Sequence, residues 1–202
     1  MDSSVPLAPR ELFGGAMRFH APASWLDTEA FMDIIKRAVP DNQEIFVAPS
    51  TSSSVEADAP RPLALFVDVL EAATEACPDM NAAPHFHAIE LLKRDERTAE
   101  ADSLEQAPVH AVELPTDVRA QGGDGVAASC ALFPASDIDV CVVRLPRVRT
   151  DLVLSLHGRK DRLEVCPSLS TIVASLEILD WGLFGDEVPS EGDDGPPRYL
   201  GS

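Results

Sequence analysis

VAASCALF (residues 126–133), IDVCVVRL (138–145) and DLVLSLH (151–157) follow one another with only short interruptions. Each is rich in Val, Ile or Leu and too short for an ordinary helix, so each reads as a strand. Pro134-Ala135-Ser136-Asp137 separates the first two runs and Arg147 to Thr150 separates the last two. Both links have turn chemistry and neither leaves room for a crossover helix. Consecutive strands joined this way form an antiparallel meander, and that meander is the frame on which the rest of the chain is placed.

Upstream, Gly122-Gly123-Asp124-Gly125 is a turn, and alternation from Val109 through Ala111 to Leu114 suggests another strand. Residues 99–108 are polar and loop-like. Pro84 opens a helix running to about Arg97, with Phe86, Ile89 and the stem of Lys93 expected to face inward. Leu63, Phe66, Val67, Leu70 and Ala73 recur at helical spacing, so Leu63 to Ala76 reads as an amphipathic helix ended by Pro78. On that helix Asp68, Glu71 and Glu75 would form one exposed acidic stripe. Nearer the start, the Gly14-Gly15 pair allows a bend, and Phe13, Met17 and Phe19 read as strand residues. Ser24 caps a helix carrying Leu26, Ala30, Ile34, Ile35 and Ala38, which Pro40 stops. A turn over residues 39–44 leads into a strand at Ile45-Phe46-Val47. Downstream, a last helix from Ser168 to Glu177 buries Leu169, Ile172, Val173 and Leu176, and Trp181, Leu183 and Phe184 anchor the closing segment. Strands in one run with helices around them define an α+β protein.

The 202 residues carry 34 acids against 16 bases, a net charge of −18. So negative a surface repels phosphate backbones and anionic lipid, which excludes nucleic acid and membrane insertion as expected roles and suits a basic protein partner. The apolar fraction of 45% is enough for a core. No run approaches the roughly 20 apolar residues that span a bilayer, and no targeting segment is visible at the start. Cys77, Cys130, Cys141 and Cys166 form no CxxC pair and no zinc-like spacing, and are expected to be reduced and mostly buried.

No catalytic pattern is present. The Gly-rich turn at 122–125 lacks the GK[ST] ending of a phosphate-cradling loop, and no GxSxG elbow occurs. His85 and His87 diverge by about 200° on a helix and would not share a metal ion. Asp137 and Asp139 would share one face of a strand, without a partner group for acid–base work. No covalent chemistry, metal or cofactor is expected.

Several strings nevertheless resemble one family, in order. They are LFGGA at 12–16, VPDNQEIF at 39–46, LFVDVLE at 65–71, FHAIE at 86–90, RLP at 144–146 with TDLVL at 150–154, and the closing stretch from Ser175-Leu176 through Asp180 to Phe184-Gly185. VPDNQE is the most specific. Together they resemble the Ran guanine nucleotide release factors, a Mog family with a PsbP-like fold. Composition gives a flexible lead at 1–10, a mobile Ser/Pro/Ala-rich loop at 49–62 and an acidic disordered tail at 186–202, and the long loop and the tail depart from the family pattern. The resemblance implies an antiparallel β-sheet flanked by α-helices on both sides and a single Ran-binding domain over 11–185. It implies a monomer that binds the Ran GTPase and promotes nucleotide release, acting in nucleus and cytoplasm. An adaptor role in ion-channel trafficking without release activity is the alternative. Asp68 and Glu71 match positions the family uses for Ran, and Glu75 extends them. Asp41, Asn42, Gln43 and Glu44 serve either the turn itself or the contact surface. Reversing Asp68 and Glu71 together would, on this reading, abolish release and leave the fold intact.

With a surface this acidic, binding to purified Ran should weaken markedly between low and high salt, because exposed charges are screened over roughly 8 Å at physiological ionic strength. Titrations at two salt concentrations check this; equal affinities would reduce the charge to a solubility device.

Overall fold

The computed structural model describes residues 6–27, 39–49, 63–158 and 167–185. Its strands are β1 (Leu7–Leu12), β2 (Met17–Pro22), β3 (Gln43–Val47), β4 (Ala64–Glu71), β5 (Val109–Ala111), β6 (Ala127–Phe133), β7 (Ile138–Leu145), β8 (Thr150–His157) and β9 (Glu177–Ile178). Its helices are α1 (Ala83–Arg94), α2 (Thr98–Asp102), α3 (Thr116–Gln121) and α4 (Leu169–Val173). The expected meander is β6-β7-β8, paired antiparallel throughout.

The meander is the centre of a six-stranded sheet in the order β3-β4-β8-β7-β6-β5, every pair antiparallel. Alternation sorts the side chains of its strands onto two faces. Leu65 and Val67 of β4, Cys141 and Val143 of β7, and Leu152 and Leu154 of β8 belong to one core cluster with Met17 and Phe19 of β2 and Ile172 and Val173 of α4. Val140, Val142 and Val153 face the other way and pack with Ala88 and Leu91 of α1. All eight residues of β7 are buried, as they must be in a central strand covered on both sides. The fold is the expected α+β one, with a refinement. The face carrying Cys141, Val143, Leu152 and Leu154 is covered by the short helices α3 and α4 together with a small three-stranded sheet, β1-β2-β9, while α1 covers the other.

Several expectations are corrected. Residues 64–71 form a strand, not a helix. The run LALFVDVL is apolar on nearly every position, and such a run fits a doubly covered strand as well as a helix. Pairing with β3 on one side and β8 on the other decides for the strand. Residues 7–10 belong to β1 and not to a loose lead; the Arg10 guanidinium donates to the carbonyls of Pro22, Ala23 and Trp25. In α1 the inward positions are Pro84, His87, Ala88, Leu91 and Leu92, while Phe86 and Ile89 are half-buried and Lys93 is exposed. Asp137 lies in the turn before β7 at φ 53°, so Asp137 and Asp139 are not a strand pair. Phe13 sits in a 3-10 turn with Gly14 and Gly15, all three at positive φ, and the strand resumes at Met17. The expected helix from Ser24, beyond Asp27, lies outside the described residues, as do the tail at 186–202 and all but the first residue of the 49–62 loop.

Cys130 and Cys141 are joined by a disulfide, against the expectation of reduced thiols, while Cys77 is free and buried. They are direct register partners on β6 and β7, with Cα atoms 4.1 Å apart. Sequence spacing holds no hint of this, because the turn at 134–137 sets which residues meet. Non-reducing peptide mapping should recover the segments around Cys130 and Cys141 as one linked species with Cys77 alkylatable; two free thiols there would contradict the bond.

Candidate functional site

β4 ends at Glu71, and the chain then turns through residues 72–79 before α1 begins. Glu71 and Glu75 are both exposed on this segment. With Ala72, Ala73, Thr74, Ala76, Pro146 and Arg149 they line an open cleft of about 790 Å³. Among the described residues neither glutamate has an ion pair or a side-chain hydrogen bond.

What holds the acidic loop in place is a buried polar cluster beneath it. Arg144 on β7 and Asp151 on β8 are register partners across the hairpin. The guanidinium donates twice, Nε to Oδ1 at 2.7 Å and Nη2 to Oδ2 at 2.8 Å, a bidentate fork. Its remaining donor, Nη1, reaches the Cys77 carbonyl at 2.8 Å. Asp151 also accepts from the Ala73 amide at 3.2 Å, and His87 Nε2 of α1 lies 3.1 Å away. The Ala72 amide donates to the Arg149 carbonyl at 2.7 Å. Both ends of the loop are thus tied to one ion pair, and α1 is tied to the same carboxylate.

Burial by itself would push the Asp151 carboxyl upward. The hydrogen bonds from Arg144, His87 and the Ala73 amide outweigh it and hold the pKa at about 2. Burial also pushes the Cys77 thiol up, in keeping with its place in the core beside α1. His85 lies 3.1 Å from the Leu104 carbonyl while His87 faces the sheet, so the two imidazoles serve different partners.

Asp68 is not an exposed contact residue. In a strand, residues three apart point to opposite faces, so Asp68 and Glu71 do not form one stripe. Asp68 is 2% exposed, and its Oδ1 accepts from Gln43 Nε2 at 2.6 Å and from Arg94 Nη1 at 3.0 Å. The VPDNQE turn is largely consumed in holding the fold. Asn42 Nδ2 donates to the Val69 carbonyl at 3.0 Å. Gln43 serves Asp68, and Glu44 accepts the Phe13 amide at 3.0 Å, fixing the β1–β2 turn to β3. Asp41 alone of that quartet makes no side-chain bond among the described residues, and it stands exposed. Because Gln43 pairs with Asp68 and the Val69 amide donates to the Asn42 carbonyl, Asp41 lies at the same end of the sheet as Glu71. The exposed acids at this end of the sheet are therefore Glu71, Glu75 and Asp41, a candidate contact surface, while Asp68, Asn42, Gln43 and Glu44 bond within the fold.

Sequence reasoning met Arg144 and Asp151 only as parts of family motifs and His87 only as part of one and as a rejected metal ligand, and it passed over Arg149. A signal existed for the first two. An arginine and an aspartate stand in apolar strand runs on either side of one tight link, and buried charges require partners.

A model of the family described as Ran-interacting Mog1 protein matches residues 10–158. The Ran guanine nucleotide release factor of Danio rerio is 24% identical over 180 residues, covering 86% of this chain and 88% of the relative. The crystal structure of the Saccharomyces cerevisiae Ran-binding protein Mog1p superposes with a TM-score of 0.55 at 21% identity, over 90% of this chain and all of the yeast chain. An alanine variant of a Mog1 protein gives a TM-score of 0.52 at 20% identity, over 89% and 99%.

Asp151→Asn should lower stability by about 3–5 kcal/mol, since it leaves Arg144 buried without its counter-charge. The lowered pKa also has a pH signature. The carboxylate's contribution, on the order of 2 kcal/mol, is complete above the ordinary carboxyl value of 3.8 and is lost as pH falls towards 2. Denaturant melts of wild type and Asp151→Asn should converge across that window; parallel curves would mean that the ion pair is not what acid disrupts.

Proposed function

The chain belongs to the Ran-interacting Mog1 family, and from that premise we propose that it binds the Ran GTPase through the Glu71–Glu75 loop and promotes release of the bound guanine nucleotide. The observation that supports this reading is the pair of exposed glutamates, without a partner among the described residues, on a loop fixed from below. A rigid loop presents its charges without a large ordering cost on binding. Carboxylates suit a GTPase surface, where lysines and arginines attend the phosphates and a magnesium ion balances them.

Release by this route involves no covalent step. A protein that binds empty Ran better than nucleotide-bound Ran by some factor must weaken nucleotide binding by that same factor. Glu71 and Glu75 are the contact groups, Asp41 extends the surface, and Asp68 acts behind them by holding β3, β4 and α1 together. On this reading the nucleus and the cytoplasm are where the protein works, since both hold its partner.

Glu71→Lys with Glu75→Lys should abolish Ran binding and nucleotide release. Exposed substitutions usually change stability by only about 0.5 kcal/mol, so circular dichroism and melting should remain native. Like charges placed opposite a basic partner cost several kcal/mol of affinity. Asp68→Lys should behave differently, lowering the melting temperature because it breaks a buried pair. Release of a fluorescent nucleotide from Ran, measured beside the melts, tests both; normal release by the double variant would sink the proposal.

A further inference from the structure

Arg149 shares the cleft with Glu71 and Glu75, yet its guanidinium is bonded to neither. Eight arginines lie in the described residues, and the other seven each have a partner. Arg10 donates to carbonyls, Arg18 pairs with Glu177, Arg94 with Asp68, Arg97 with Glu100, Arg119 with Glu113 and Arg144 with Asp151. Arg147 donates to the Gln121 carbonyl. Among the described arginines Arg149 is the one whose charge stays uncommitted, and in the whole sequence acids outnumber bases by two to one.

Its backbone is equally specific. Arg149 closes the link between β7 and β8 in the left-handed region, at φ 50° and ψ 41°. Glycine takes that conformation without strain and arginine does not. The Arg149 carbonyl meanwhile accepts the Ala72 amide, so its Cα is fixed against the acidic loop while the side chain is exposed.

We propose that Arg149 is a specificity-determining residue of this cleft, reading a carboxylate on the partner beside the basic groups that Glu71 and Glu75 accept. The proposal rests on the reading that Ran docks here. A purely acidic cleft would attract any basic surface. An arginine among the acids repels a uniformly basic partner and selects one that alternates signs at matching spacing. Its planar fork also suits a carboxylate better than a lysine would.

The test compares Arg149→Glu, Arg149→Lys and Arg149→Gly in the full chain, using purified Ran and, as a probe of plain acidity, polylysine. Arg149→Glu should weaken Ran binding about tenfold while tightening polylysine binding, an opposition that a merely structural residue would not produce. Arg149→Lys should keep most of the affinity. Arg149→Gly relieves the backbone and should melt no lower than wild type, yet should bind Ran as weakly as any variant without the guanidinium. Arg149→Glu binding Ran as tightly as wild type, or tighter, overturns the proposal. If the Glu71/Glu75 double lysine variant loses Ran while Arg149→Glu keeps it, the cleft is the docking site and Arg149 is idle there. If both bind normally, the docking reading itself falls.

Discussion

The ion pair between Arg144 and Asp151 is the interaction on which the rest of the site depends. It joins β7 to β8 near the end of both strands, and the pair's other hydrogen bonds go to the loop above and the helix beside it. A buried ion pair adds little net stability over a well-packed apolar pair. What it does here is fix geometry: the Ala73 amide and the Cys77 carbonyl have one place to go. The loop carrying Glu71 and Glu75 inherits its position from that choice.

Charge in this protein is divided between two duties. Asp68, Glu44, Arg144 and Asp151 hold elements together and are at least partly withdrawn from solvent, and the exposed Arg94 reaches in to Asp68. Among the described residues Glu71, Glu75 and Arg149 have no side-chain partner, and they face solvent around one cleft. The first group makes the second useful, since a charge on a floppy loop would lose in ordering entropy much of what it gained in attraction. Asp68 illustrates how close the two duties lie in sequence. It stands three residues from Glu71, and strand geometry alone sends one to the interior and the other to the surface.

The strands over 126–157 were legible because short apolar runs with turn residues between them have one economical arrangement. The burial of Leu169, Ile172, Val173 and Leu176 was legible from helical spacing, although the helix itself ends at Val173. Residues 63–76 were misread because LALFVDVL has no polar alternation to separate a period of two from one of 3.6. The acidic residues in it were read as one exposed stripe, whereas Asp68 is buried and Glu71 and Glu75 are exposed. The VPDNQE string was recognisable as a motif, but its bonds to Val69, Asp68 and Phe13 could not be read, because all three partners are distant in sequence. The Cys130–Cys141 bond was hidden for the same reason: it depends on register, which is set by a turn and not by spacing.

The sequence by itself determined the α+β class, the antiparallel meander, the acidity that favours a basic partner and the family likeness carried by ordered motifs. Each of these is a property of local pattern or of summed charge, and neither needs coordinates. Tertiary structure alone decided which charges are free. Whether a carboxylate is a strut or a contact depends on what lies across from it, and the partners of Asp68 and Asp151 come from different strands and from α1. Pairing across a sheet is a long-range event, and only the folded chain brings Arg144, Asp151 and the Glu71–Glu75 loop into one neighbourhood.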